Sequence, residues 1–123
     1  MKRAKLQDMA MNQLVERFTA IGIEQDQALL RRQHTKFNRL FDEMVAIEDE
    51  LKRRDGDQRR QLLPLYNHPN AQVRLNAAKA TLAVAPEPAR RALQTIADSR
   101  EYPQAGNAGM SLDNLELGIF KPK

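Results

Sequence analysis

The 123-residue chain contains no cysteine and no tryptophan. Without thiols it can form no disulfide, hold no thiolate-bound zinc and offer no cysteine nucleophile. Aromatic residues make up only 5%, too few to interleave with arginines and stack on successive bases. Serine is nearly missing, Ser99 and Ser111 being the only two. The chain has neither a nucleophile elbow nor a glycine-rich phosphate loop. No apolar run approaches the roughly 18 residues of a membrane span, so no membrane partner is expected. The basic start Met1–Lys5 is followed by no apolar stretch and does not read as a secretory signal. What remains is the length of one soluble domain, 1–123, expected in the cytoplasm, with no enzymatic activity and no cofactor expected.

The residues that are present favour helix. Alanine (16) and leucine (15) outnumber valine, isoleucine and threonine together (13) by more than two to one. The 5 glycines and 6 prolines fall mostly between periodic segments rather than in hairpin pairs. Apolar steps of three and four predict six helices. The first spans about 8–20, with Leu14, Val15, Phe18 and Ile21 on one face and Gly22 as its stop. The second and longest spans about 24–54, with a bend near 31–35 where its apolar stripe thins. A third, capped by Asp57, runs to about Tyr66 with Leu62, Leu63 and Leu65 inward, and Pro64 should kink or shorten it. Asn70 caps a fourth, to about Val84, which is apolar on two faces and rich in alanine, as befits a helix sandwiched at close range. Pro86 starts a fifth, to about Ser99, and Pro103 opens a sixth, after which Ile119 and Phe120 are expected to fold back onto the core. Residues 1–7 are the segment that the pattern leaves open to disorder.

Six helices with short connections imply an all-α fold of about three antiparallel hairpins. The stretch His68-Pro69-Asn70, Val73-Arg74, Ala77-Ala78, Leu82 resembles the second helix of a HEAT repeat. The best-matching repeat covers 57–84. The resemblance implies a right-handed αα-superhelix of HEAT or armadillo type, with Asn70, Val73, Arg74, Ala77, Ala78 and Leu82 as its structural residues. More of the chain is similar to a small bacterial family of uncharacterised HEAT-like proteins. That similarity runs through Glu50-Leu51-Lys52, Arg54, Gly56-Asp57 and Arg59, the stretch just quoted, and Gly118 with Phe120. It implies a helical-repeat domain with no established activity.

Residues that could carry chemistry were weighed against plainer roles. His34 has Leu30, Arg31, Phe37 and Asn38 at the ligand spacings, which holds no metal. His68 precedes Pro69 and suits a capping or surface role. Asp42, Glu43, Glu48, Asp49 and Glu50 read as a solvated helix face paired along the helix with Lys52–Arg54.

The positive charge is uneven. Of the net +4, residues 52–100 carry +6, against −1 on each side. An up-down helix order would gather Lys52, Arg53, Arg54, Arg59, Arg60, Arg90 and Arg91 on one edge. Arginine in a first helical turn is opposed by the helix dipole, so this edge is a candidate surface for an anionic partner. The expected function is protein–protein interaction, the partner being another protein with an acidic surface. Nucleic acid ranks behind it. A third reading is neutralisation of a toxin or effector. Both a monomer and a homodimer remain open.

Overall fold

Helical periodicity does not stop at Gly22. Leu14, Phe18, Ile21, Gly22, Gln25 and Ala28 are all buried on one continuous helix, α1 (Met11–Leu30). The buried stripe runs straight through the glycine, so the first helix is longer than expected. The expected second helix is correspondingly split, and α2 covers His34–Arg53. A computed structural model describes residues 5–123 of the chain.

The break between α1 and α2 is a Schellman turn. Gln33 N donates to Ala28 O at 2.8 Å and Arg32 N to Leu29 O at 3.2 Å, the paired bonds that close a helix through a left-handed residue. That residue is Arg32, with φ of 55°. Glycine would normally stand there, and its absence hid the stop from the sequence. α1 and α2 pack on each other, burying Leu40, Met44, Ile47 and Leu51 from α2.

The expected third helix is a 3-10 helix over Gln58–Asn67 with Pro64 inside it. Proline removes a donor and clashes with the preceding turn, so regular α-helix does not form. Only Leu62 of the three inward-facing leucines is buried. The chain divides into two compact units, Met1–Gln61 and Leu62–Lys123. The boundary falls within this weakly hydrogen-bonded stretch. Before α1, Leu6–Asp8 forms a short 3-10 turn. The remainder of the 1–7 segment reaches residues outside those described.

In the second unit, α3 (Ala71–Ala80) begins at Asn70, whose side chain accepts from Gln72 N and Val73 N. α4 covers Pro86–Asp98 and α5 covers Gln104–Glu116. α3 packs against both, and α4 against α5. Seven of the ten residues of α3 are buried, among them Ala77, Ala78 and Ala80. Leu75, Ala78 and Leu82 join Leu93, Ile96 and Leu115 in one core cluster. Buried amides also connect α3 to α5. Gln104 Nε2 donates to Gln72 Oε1 at 3.0 Å, and Gln72 Nε2 donates to Asn76 Oδ1 at 2.9 Å. The described residues contain helices and turns and no strand, so the fold class is all-α.

Of the two residues expected to fold back onto the core, Phe120 is half-buried and lines a small cleft with Leu82 and Asn114, whereas Ile119 does not fold back. Gly118, at φ of 72°, closes α5 in a second Schellman turn, with Gly118 N bonded to Leu115 O at 3.2 Å and Ile119 N to Asn114 O at 2.9 Å. The apolar residue after such a turn usually packs on the helix residue that accepts its N–H. Here that residue is Asn114, so Ile119 finds no apolar seat and stays exposed.

Two substitutions test this description. Ala77→Asp places a carboxylate at a position with 0% exposure and should cost about 3–5 kcal/mol in urea unfolding or abolish folding outright. Arg32→Gly should raise stability by about 1 kcal/mol by relieving the left-handed backbone, read as a higher urea midpoint with an unchanged slope.

Candidate functional site

Lys52 and Arg53 occupy the last turn of α2 and Arg54 caps it, where cations complement the helix dipole. The acid that governs them is Glu50, which is only 4% exposed. A carboxylate so buried must be paired. Arg53 Nη2 bonds Glu50 Oε1, and Arg54 Nε donates to Glu50 Oε2 at 2.8 Å. Arg54 then reaches further, its Nη2 donating to the carbonyl oxygens of Leu6 at 3.0 Å and Met9 at 2.7 Å. It clasps the N-terminal 3-10 turn to the end of α2 and is not offered to a ligand.

Arg59 is committed in the same way. Gly56 and Asp57 both take positive φ, 80° and 53°, and this turn brings the Asp57 carboxylate under the guanidinium two residues on. Arg59 Nε donates to Asp57 Oδ1 at 2.9 Å and Nη2 to Oδ2 at 2.7 Å, a bidentate fork. Hydrogen bonds from Arg59 hold the Asp57 carboxyl below its ordinary range, and the same bonds push the Arg59 guanidinium up. Lys52 and Arg60 are exposed and form no ion pair among the described residues.

In the second unit Arg90 and Arg91 are exposed on α4, again without an ion pair among the described residues. Of the seven basic residues singled out from the sequence, Arg53, Arg54 and Arg59 therefore have internal acidic partners. Lys52, Arg60, Arg90 and Arg91 do not.

Val73, Ala77, Ala78 and Leu82 are buried, and Asn70 caps α3. Arg74 Nη2 meets Glu101 Oε1 at 2.8 Å, tying α3 to the segment just before α5. His68 Nδ1 accepts from Asn70 N at 3.0 Å, so the histidine braces the turn into α3. Among the described residues no three His, Asp or Glu side chains gather as a metal site, and no helix is long and apolar enough to cross a membrane.

Residues 12–116 match the domain of unknown function DUF2019. The chain belongs to the DUF2019 family. The crystal structure of the protein RPA1889 from Rhodopseudomonas palustris CGA009 is 55% identical to it. That structure aligns with a TM-score of 0.95 over 98% of this chain and 100% of the other. No curated protein matches the chain. In this DUF2019 chain the stretch from Glu50 to Arg59 is thus a structural clasp, built from one buried acid met by two arginines and one positive-φ turn closed by a single arginine fork.

Two polar groupings escaped the sequence reading. Arg17 on α1 donates from Nη2 to Glu43 Oε1 at 2.8 Å and from Nη1 to Glu24 Oε2 at 2.9 Å, linking α1 to α2. Glu43 and Glu50 therefore do not belong to a simple solvated face. The spacing of Glu50 to Arg54 was a usable sign, whereas nothing in the sequence pairs Arg17 with Glu43 across 26 positions. The second grouping is the Tyr66 hydroxyl, bonded to the buried Thr81 hydroxyl. Burial pushes the Tyr66 phenol up.

The Asp57–Arg59 fork makes a pH-dependent contribution. Because the folded carboxyl titrates below its ordinary 3.8, the contribution is complete above that value and is lost as pH falls through the folded value. Wild-type stability should therefore drop between about pH 4.5 and about pH 2 more steeply than that of Asp57→Asn, measured by urea melts across that range. Partial solvent screening keeps the difference small.

Proposed function

We propose that this protein is a non-enzymatic protein-interaction module. The observation that supports this reading is the apolar display at the end of α5. Leu117 and Ile119 retain 72% and 71% of their surface, and Phe120 retains 49%. Met110 lies two helical turns before Leu117 on the same stripe and is 66% exposed. Several large apolar side chains left exposed close together in the chain suit a place where another molecule is buried. The display is also held rigidly. Both Ile119 N and Phe120 N donate to Asn114 O, at 2.9 and 3.2 Å, which reduces the ordering cost of binding.

The exposed Lys121 follows directly, so the partner that fits is a protein with an apolar contact and an acidic rim. A toxin or effector would be one such partner. The nucleic-acid alternative draws on Arg90 and Arg91 and would announce itself as binding that collapses with added salt.

The double variant Leu117→Ser with Ile119→Ser tests the reading. Partner recovered by affinity capture should fall at least tenfold while the melting temperature stays within about 2 °C of wild type. Undiminished recovery would overturn it. Sedimentation at rising concentration separates a second copy of the chain from a different protein.

A further inference from the structure

Apart from the apolar display, the second unit has a cleft of about 340 Å³ where the end of the 3-10 stretch meets α3 and α4. This is the lower end of the size range for small-molecule sites. Its apolar wall comes from Pro88, Ala92 and Ile96, its polar wall from Asn67, Arg74 and Arg91. Tyr66 also lines it, with its hydroxyl already engaged by Thr81.

The two arginines differ in burial and in how they are paired. Arg74 is largely buried, its side chain only 18% exposed, and its one ion pair is to a half-exposed Glu101. Its Nε is buried and has no hydrogen-bond partner among the described residues. Arg91 has no acidic partner there, although Glu87 stands one helical turn before it on α4. Two guanidiniums against a single acid leave the cleft with an excess of one positive charge. A buried, incompletely satisfied guanidinium beside an unneutralised one favours an entering anion. The apolar wall discriminates among anions, because a bare hydrated ion gains nothing from Pro88, Ala92 and Ile96, whereas an alkyl or aromatic stem does.

We propose that the Arg74–Arg91 cleft binds a carboxylate carried on a short apolar stem. The carboxylate would lie between the guanidiniums, with Asn67 able to donate from its amide, and the stem would lie along the apolar wall. The chemistry is shared by a free aliphatic acid and by the C-terminus of a peptide ending in an apolar residue. This site is separate from the apolar display on α5 and does not require that reading.

The test is a ¹⁵N-edited NMR titration of the full chain with two probes, hexanoate and an N-acetylated dipeptide ending in free leucine. Their carboxamides and inorganic phosphate serve as controls. Saturable shifts confined to residues around Arg74, Arg91 and Thr95, given by at least one acid and by neither amide, are expected. The acid with the lower Kd identifies the source of the carboxylate. Arg91→Gln, an exposed position that leaves the fold intact, should raise that Kd at least tenfold, whereas Leu117→Ser with Ile119→Ser should leave it unchanged. The proposal is overturned by the absence of saturable shifts with both acids, by amides that bind as well as the acids, or by an unaltered Kd in Arg91→Gln. Phosphate binding as tightly as the better acid would overturn the apolar stem.

Discussion

Methyl-sized side chains on α3 set the distance at which α4 and α5 can pack. Ala77, Ala78 and Ala80 lie among seven buried residues on a helix of only ten. Beside these small groups, Leu75 of α3 and larger side chains from the neighbours, Leu93 and Ile96 of α4 and Leu115 of α5, fill the space between the helices. A helix this short has little intrinsic stability. Its order comes from being enclosed, and the Asn70 cap and the His68 brace fix where it starts. Everything that the second unit displays is positioned by that enclosure, including the guanidinium of Arg74 and the turn that carries Ile119.

Around the end of α2 and the turn after it, three of the five basic residues are spent on internal acids. Glu50 is buried and is met by two arginines, one of which also holds the carbonyls of the N-terminal turn. Asp57 closes on Arg59 through a backbone that only a positive φ permits. A net positive segment is therefore a poor guide to a basic surface, because an arginine counted as excess in a composition can be fully engaged with a single well-placed acid. Among the seven basic residues singled out, Lys52, Arg60, Arg90 and Arg91 keep their charge available, and on α4 the first-turn acid Glu87 pairs with neither arginine.

Much of the fold was legible from residue spacing. Asn70 as a cap, the double-faced burial of α3, Pro86 at the start of α4 and the disruptive effect of Pro64 all follow from local rules that the structure obeys. The failures share a cause. Gly22 suggested a stop that the buried stripe of α1 overrides, while the true stop uses Arg32 in a conformation associated with glycine. Ile119 looked like a core residue because its hydrophobicity was visible and the polar identity of its turn partner, Asn114, was not weighed. For the candidate site, residue type identified the arginines but not their partners. Arg17 with Glu43, and Tyr66 with Thr81, are joined by tertiary packing at spacings that no helical rule connects.

The buried amides of Gln104, Gln72 and Asn76 have a consequence for how α5 lies on α3. Alanine-rich faces are smooth, and smooth helices can slide along each other at little cost. A shift of one turn, about 5.4 Å, would carry Gln104 past Gln72 and leave both amides facing aliphatic groups. Each stranded amide would cost roughly 1–3 kcal/mol. The three side chains act as a notch in the seam, setting its axial alignment together with the Lys79–Asn107 bond across the same two helices.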